Sequence, residues 1–77
     1  MENAIIYGTQ SCVFCDKAFN LLEENNFNVI KVDIASSKDD YLKIQALAGN
    51  FKSVPQIVIN ENYIGGYKDL EKFLEKI

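Results

Sequence analysis

Two cysteines, Cys12 and Cys15, stand at the point where the chain changes its hydrophobic period. Before them, Ala4-Ile5-Ile6-Tyr7 is a continuous apolar run, the pattern of a short strand buried on both faces. Gly8-Thr9-Gln10-Ser11 interrupts it. After them, Cys15, Ala18, Phe19 and Leu22 recur at i, i+3, i+4 and i+7, one face of a helix, with Asp16, Lys17, Asn20 and Glu23 on the other. The pair therefore lies at a strand-to-helix junction. Ser11 or Cys12 would cap the helix, and Ser11 is the better capping side chain. A Cys-x-x-Cys at such a junction reads as a thiol–disulfide redox site.

The junction also assigns roles. The nucleophile in disulfide exchange is the thiolate, and an ordinary cysteine is mostly thiol at neutral pH. Cys12 sits where the unpaired N–H groups of a first helical turn converge, which favours its anion. Cys15 lies one turn further, on the apolar face, and should be buried as a thiol. Cys12 would attack a substrate disulfide, and Cys15 would resolve the mixed disulfide. Three blander readings compete: two ordinary core cysteines, half of a zinc site, or a structural disulfide. The chain has no histidine and no further cysteine to complete a zinc tetrahedron. A disulfide closing so short a loop stabilises little. The redox reading leads, and no metal is expected.

The remaining chain continues the alternation of strand and helix. Phe27 to Ile34 reads as a second strand after Asn25-Asn26, residues that tolerate left-handed geometry. Ser36 to Asp40 offers a cap and an acidic first turn for a second helix, with Tyr41, Ile44 and Leu47-Ala48 as its apolar positions and Gly49-Asn50 as its stop. Gln56 to Ile59 is a third strand, and Asn60-Glu61-Asn62 turns it into Tyr63-Ile64. Gly65-Gly66 breaks that strand. A last helix from Tyr67 or Lys68 to the end presents Leu70, Phe73, Leu74 and Ile77 on one face. The order β-α-β-α-β-β-α predicts an α/β fold: a four-stranded mixed sheet, its first crossover joining parallel strands and its last pair a hairpin.

Seventy-seven residues, 48% of them hydrophobic and 25% charged, predict one domain, residues 1–77, with a small core. The formal charge of -3 and eight dispersed lysines argue against a nucleic-acid partner. No basic n-region with a long apolar run opens the chain, and no run approaches the roughly 20 residues of a membrane span. A cytoplasmic protein that neither binds nor crosses membranes is the expectation.

Three segments, Cys12-Val13-Phe14-Cys15, Ser53-Val54-Pro55-Gln56 and Gly65-Gly66-Tyr67-Lys68-Asp69-Leu70, resemble in order and spacing the signatures of dithiol glutaredoxins. The resemblance covers essentially the whole chain. It implies a thioredoxin-like fold and a glutathione-dependent thiol–disulfide oxidoreductase, with Cys12 and Cys15 catalytic. Glutathione would be the reductant and disulfide-containing proteins the substrates, ribonucleotide reductase among them by analogy. A monomer is implied. It also implies a cis Val54-Pro55 bond, with the Val54 backbone free to pair with the cysteinyl part of glutathione. Gly66, Tyr67 and Lys68 would receive the glutamyl carboxylate at a helix N-terminus, and Asp69 the amino group. Lys52 would lie near the glycyl carboxylate, Ser53 would line the glutathione site with Val54 and Pro55, and Phe14 would pack against the ligand. Lys17 matches a second basic position common in the family.

The chain departs from the family in ways that bear on tuning. Val13 stands where proline is common, and Thr9 where a lysine often neighbours the thiolate, so Cys12 must lean more on the helix terminus. The chain is short at both ends, like minimal bacterial and bacteriophage members. Two alternatives stay open: a glutaredoxin-like protein recharged by thioredoxin reductase, and a dimer holding an iron–sulfur cluster through Cys12 and two glutathiones.

Overall fold

A computed structural model describes residues 2–76. Its elements follow the expected order: β1 Asn3–Gly8, α1 Val13–Glu24, β2 Asn28–Asp33, α2 Lys38–Ala48, β3 Gln56–Ile59, β4 Asn62–Gly65 and α3 Tyr67–Glu75. The sheet runs β2-β1-β3-β4. β1 pairs with β2 in parallel and with β3 antiparallel, and β3 pairs with β4 antiparallel. The first strand is thus central, which is why its sequence is apolar throughout rather than alternating.

Alternate residues of the central strands feed two separate cores. Ala4, Ile6, Ile57 and Ile59 point to the side where α1 contributes Cys15, Ala18 and Leu22 and α3 contributes Leu70. Tyr7 and Val58 point to the other side, where Ile44 of α2 covers them. Two helices on one face and one on the other leave the faces unequal.

Several local expectations shift. The α1 cap is Cys12 rather than Ser11: the Cys12 sulfur accepts from the Cys15 N–H at 3.1 Å. Position outranks capping propensity here, because Ser11 lies one residue too early. β2 is shorter than Phe27 to Ile34, since Phe27 is buried in the main core before pairing starts and Ile34 follows the last paired residue. Phe19 is only half-buried at the edge of that core. In α2 only Ile44 is fully buried, while Tyr41 and Leu47 are largely exposed. Beyond Ile44 the helix packs only partly, through Ala48 and through Tyr41 against the Phe51 ring. Ile77 lies outside the described residues.

The β3–β4 hairpin turns on Asn60 and Glu61, both at positive φ (49° and 69°). A two-residue turn needs that geometry to match the twist of its strands. The Asn60 side chain accepts from the Asn3 N–H at 3.1 Å, tying the turn to the start of β1.

Candidate active site

β1 ends at Gly8 and α1 starts at Val13, so Cys12 caps α1 and Cys15 lies in its first turn. They are joined as a disulfide, with Cα atoms 5.2 Å apart. Their environments differ as the sequence implied. Cys15 is 2% exposed and belongs to the main core, whereas Cys12 is half-buried at its edge. The N–H of Cys15 that caps the Cys12 sulfur would stabilise a thiolate there.

Gly8, the last residue of β1, packs directly on Cys15. A Cβ at this position would overlap the Cys15 sulfur. The residue that reads in sequence as a strand breaker is therefore required by close approach of the backbone to the buried thiol.

The second predicted segment arrives from β3. The Val54-Pro55 bond is cis. Val54 packs at the same core edge as Cys12. Just beyond Pro55, Gln56 is buried, and its amide nitrogen donates to the Ser53 carbonyl at 2.8 Å. Its amide oxygen accepts from the Tyr63 hydroxyl. Burial, and after it the Asp69 carboxylate, raises the Tyr63 phenol above its usual pKa of 10.0, so it remains a donor at neutral pH.

The third segment supplies the start of α3. Gly66 is its N-cap, and the Asp69 carboxylate accepts from the Gly66 N–H at 3.0 Å. Gly65 has φ 126°, and a Cβ there would strike that carboxylate. With the Gly66 donor occupied, the N–H groups of Tyr67 and Lys68 remain without intrahelical partners. The start of α3 can therefore receive an anion.

These segments enclose a groove of about 380 Å³ lined by Phe14, Ser53, Val54, Pro55, Gly66, Tyr67, Lys68, Asp69 and Glu71. Phe14 packs against Tyr67 with ring centroids 5.3 Å apart and planes inclined at 54°, and Lys17 lies over the Phe14 ring at 4.8 Å. The groove gathers every predicted ligand residue except Lys52, which is exposed and outside its lining. Glu71 was not anticipated. It follows Tyr67 by four residues and so shares its helix face, a signal present in the sequence but masked by the surrounding charged residues. Gln56 was anticipated as a strand residue and as the end of the Ser53-Val54-Pro55-Gln56 segment, with no role of its own; a polar side chain at a core position was the clue to one.

Among the described residues no cluster of three or more histidine, cysteine, aspartate or glutamate side chains could hold a metal ion, and no helix is long and apolar enough to cross a membrane. A redox cysteine pair at a helix start, beside a cis-proline loop at one end of the central strands of a four-stranded mixed sheet, defines a thioredoxin-like thiol–disulfide oxidoreductase. The Glutaredoxin family model matches residues 4–64. Glutaredoxin 1 of Rickettsia conorii is 33% identical over 76 residues, covering 94% of this chain and 74% of the relative. The structure of reduced Escherichia coli glutaredoxin superimposes with a TM-score of 0.77 at 30% identity, covering 96% of this chain and 94% of that one. A buckwheat glutaredoxin–glutathione complex shares the fold, with a TM-score of 0.75 at 18% identity over 97% of this chain and 71% of that one. This chain belongs to the glutaredoxin family, and its Cys12–Cys15 pair carries thiol–disulfide oxidoreductase chemistry.

Proposed function

We propose that the protein is a glutathione-dependent oxidoreductase that reduces protein disulfides and glutathione mixed disulfides. The observation that carries this reading is the groove that Phe14, set between the two cysteines in the chain, forms with Ser53 to Pro55 and Gly66 to Asp69. Its ends match the chemistry of a γ-glutamyl tripeptide. Free N–H groups at the start of α3 suit a carboxylate, Asp69 suits an ammonium, and the Val54 backbone suits an extended peptide. Lys52, exposed next to Ser53, would act as a long-range attraction for the glycyl carboxylate rather than as a groove wall. The buckwheat glutaredoxin of the same fold was solved with glutathione bound.

In the forward reaction the Cys12 thiolate attacks one sulfur of the substrate disulfide, and the other sulfur leaves as a thiolate. With a protein disulfide, the Cys15 thiol then loses its proton and attacks Cys12. This frees the second substrate sulfur and forms the Cys12–Cys15 disulfide, so two electrons have passed to the substrate. One glutathione thiolate attacks Cys12 and expels Cys15. A second attacks the resulting glutathionyl sulfur, giving glutathione disulfide and the reduced pair. With a glutathione mixed disulfide the substrate thiol leaves first, and Cys15 is not needed. The remaining parts of the proposal are a monomeric, cytoplasmic protein with ribonucleotide reductase among its electron acceptors, by analogy with the family.

The deciding experiment measures turnover of a glutathionylated peptide and of a protein disulfide, with glutathione recycled by glutathione reductase. Cys15→Ser should retain the first activity and lose the second, and Cys12→Ser should lose both. Activity in Cys12→Ser would sink the assignment. Reduction of the oxidised protein by thioredoxin reductase but not by glutathione would replace the reading with its runner-up.

A further inference from the structure

Gln56 is the one buried polar side chain among the described residues, and both ends of its amide are engaged. The Ser53 carbonyl can only accept, so the amide nitrogen must face it. The amide oxygen then faces Tyr63, whose hydroxyl must donate. The result is a directed chain from β4 through β3 to the loop before Pro55. It lies on the α2 side of the sheet, because Gln56 and Val58 alternate with Ile57 and Ile59 of the main core.

The Ser53 carbonyl shares one peptide unit with the Val54 N–H. That unit is trans, so the two groups point in opposite directions. Drawing the carbonyl toward buried Gln56 turns the Val54 N–H the other way, toward the side on which Ser53, Val54 and Pro55 line the groove. The Val54 N–H has no backbone partner among the described residues, and residues 51 to 55 lie in no helix or strand that would otherwise hold this plane. We propose that Gln56, backed by Tyr63, is a positioning residue that aims the Val54 N–H at the backbone of the bound tripeptide. The inference rests on the glutathione reading above and adds what orients its central contact.

The test compares wild type, Gln56→Met and Tyr63→Phe with a glutathionylated peptide as substrate. Methionine keeps the length of glutamine without its hydrogen bonds. Loss of one oriented hydrogen bond should raise KM by about five-fold in Gln56→Met, with kcat within about two-fold. Alkylation of Cys12 by iodoacetamide across pH should be unchanged, because the thiolate's own surroundings are untouched. The Val54 amide resonance should shift in the free variant and respond less to added glutathione. Tyr63→Phe, at a half-exposed position, should fold normally and raise KM about two-fold by loosening Gln56 alone. It decides the matter if Gln56→Met does not fold. An unchanged KM, or kcat and KM altered together with Cys12 alkylation, would overturn the role given to Gln56. A wild type that glutathione does not reduce would overturn the glutathione reading itself, and this inference with it; wild-type turnover with unaltered variants removes only the positioning role.

Discussion

The two faces of the sheet are built to different depths. Under α1 and α3, buried residues from four elements (β1, α1, β3 and α3) and Phe27 form one continuous core that includes Cys15. Under α2 the buried set is Tyr7, Ile44 and Val58, while Tyr41, Leu42 and Leu47 of that helix remain exposed. The difference separates two jobs. A resolving thiol must be kept from water at a fixed distance from its partner, and close packing does this on the deep face. The shallow face holds a polar pair, Gln56 and Tyr63, which reaches the groove loop through the Ser53 carbonyl.

The sharpest challenge to this comparison is a matched pair of truncations. Leu70 on the deep face and Ile44 on the shallow face are both 0% exposed. Leu70→Ala should cost about 3–4 kcal/mol, because the rigid surroundings cannot close the cavity, and Ile44→Ala about 2 kcal/mol, because α2 can settle. Urea unfolding measures both, and equal losses would erase the distinction. Next in size is Gly8→Ala. Its new methyl group meets the Cys15 sulfur, so overpacking should cost about 1–3 kcal/mol. Reduction of protein disulfides should fall more than turnover of glutathione mixed disulfides, since in the proposed mechanism only the former uses Cys15. Equal losses in both assays would mean that the strain spreads to Cys12.

Smaller effects belong to the shallow face. Leu47→Gln should change stability by no more than about 0.5 kcal/mol, since the side chain is already largely in water. A larger loss by urea unfolding would show that α2 packs more deeply than its exposure implies. The smallest effect concerns alkaline pH. The folded protein holds the Tyr63 proton more tightly than the unfolded chain does, so this stabilising contribution is complete below the ordinary value of 10.0 and disappears as pH rises through the higher folded value. Unfolding midpoints taken between about pH 9 and 11 should fall more steeply for wild type than for Tyr63→Phe, where the group is absent. Parallel curves would remove Tyr63 from the account of the shallow face.

Much of this was legible along the chain because it depends on neighbours in sequence. The run Ala4 to Tyr7 and the bounds of β3 follow from short apolar stretches closed by breakers, and the period of α1 from spacing near 3.6 residues. The asymmetry of the cysteines was legible for the same reason, since Cys15 falls on the apolar face of α1 and Cys12 at its end. Helix periodicity misled in α2, where Tyr41 and Leu47 have the right spacing but stay exposed, Tyr41 resting only against the Phe51 ring. Spacing states which side a residue faces and says nothing about how much protein lies there.

The approach of distant segments was not encoded in that way. The sequence by itself determined the strand and helix order, the redox pair and, through resemblance, the segments expected to meet around it. Only the tertiary structure decided that Gly8 presses on Cys15, that Glu71 joins the groove while Lys52 stays outside, and that Gln56 of β3 and Tyr63 of β4 hold the Ser53 carbonyl. The physical reason is range. Period and capping act over about one helical turn, whereas these contacts exist only after the sheet order β2-β1-β3-β4 has placed the ends of β1, β3 and α3 side by side.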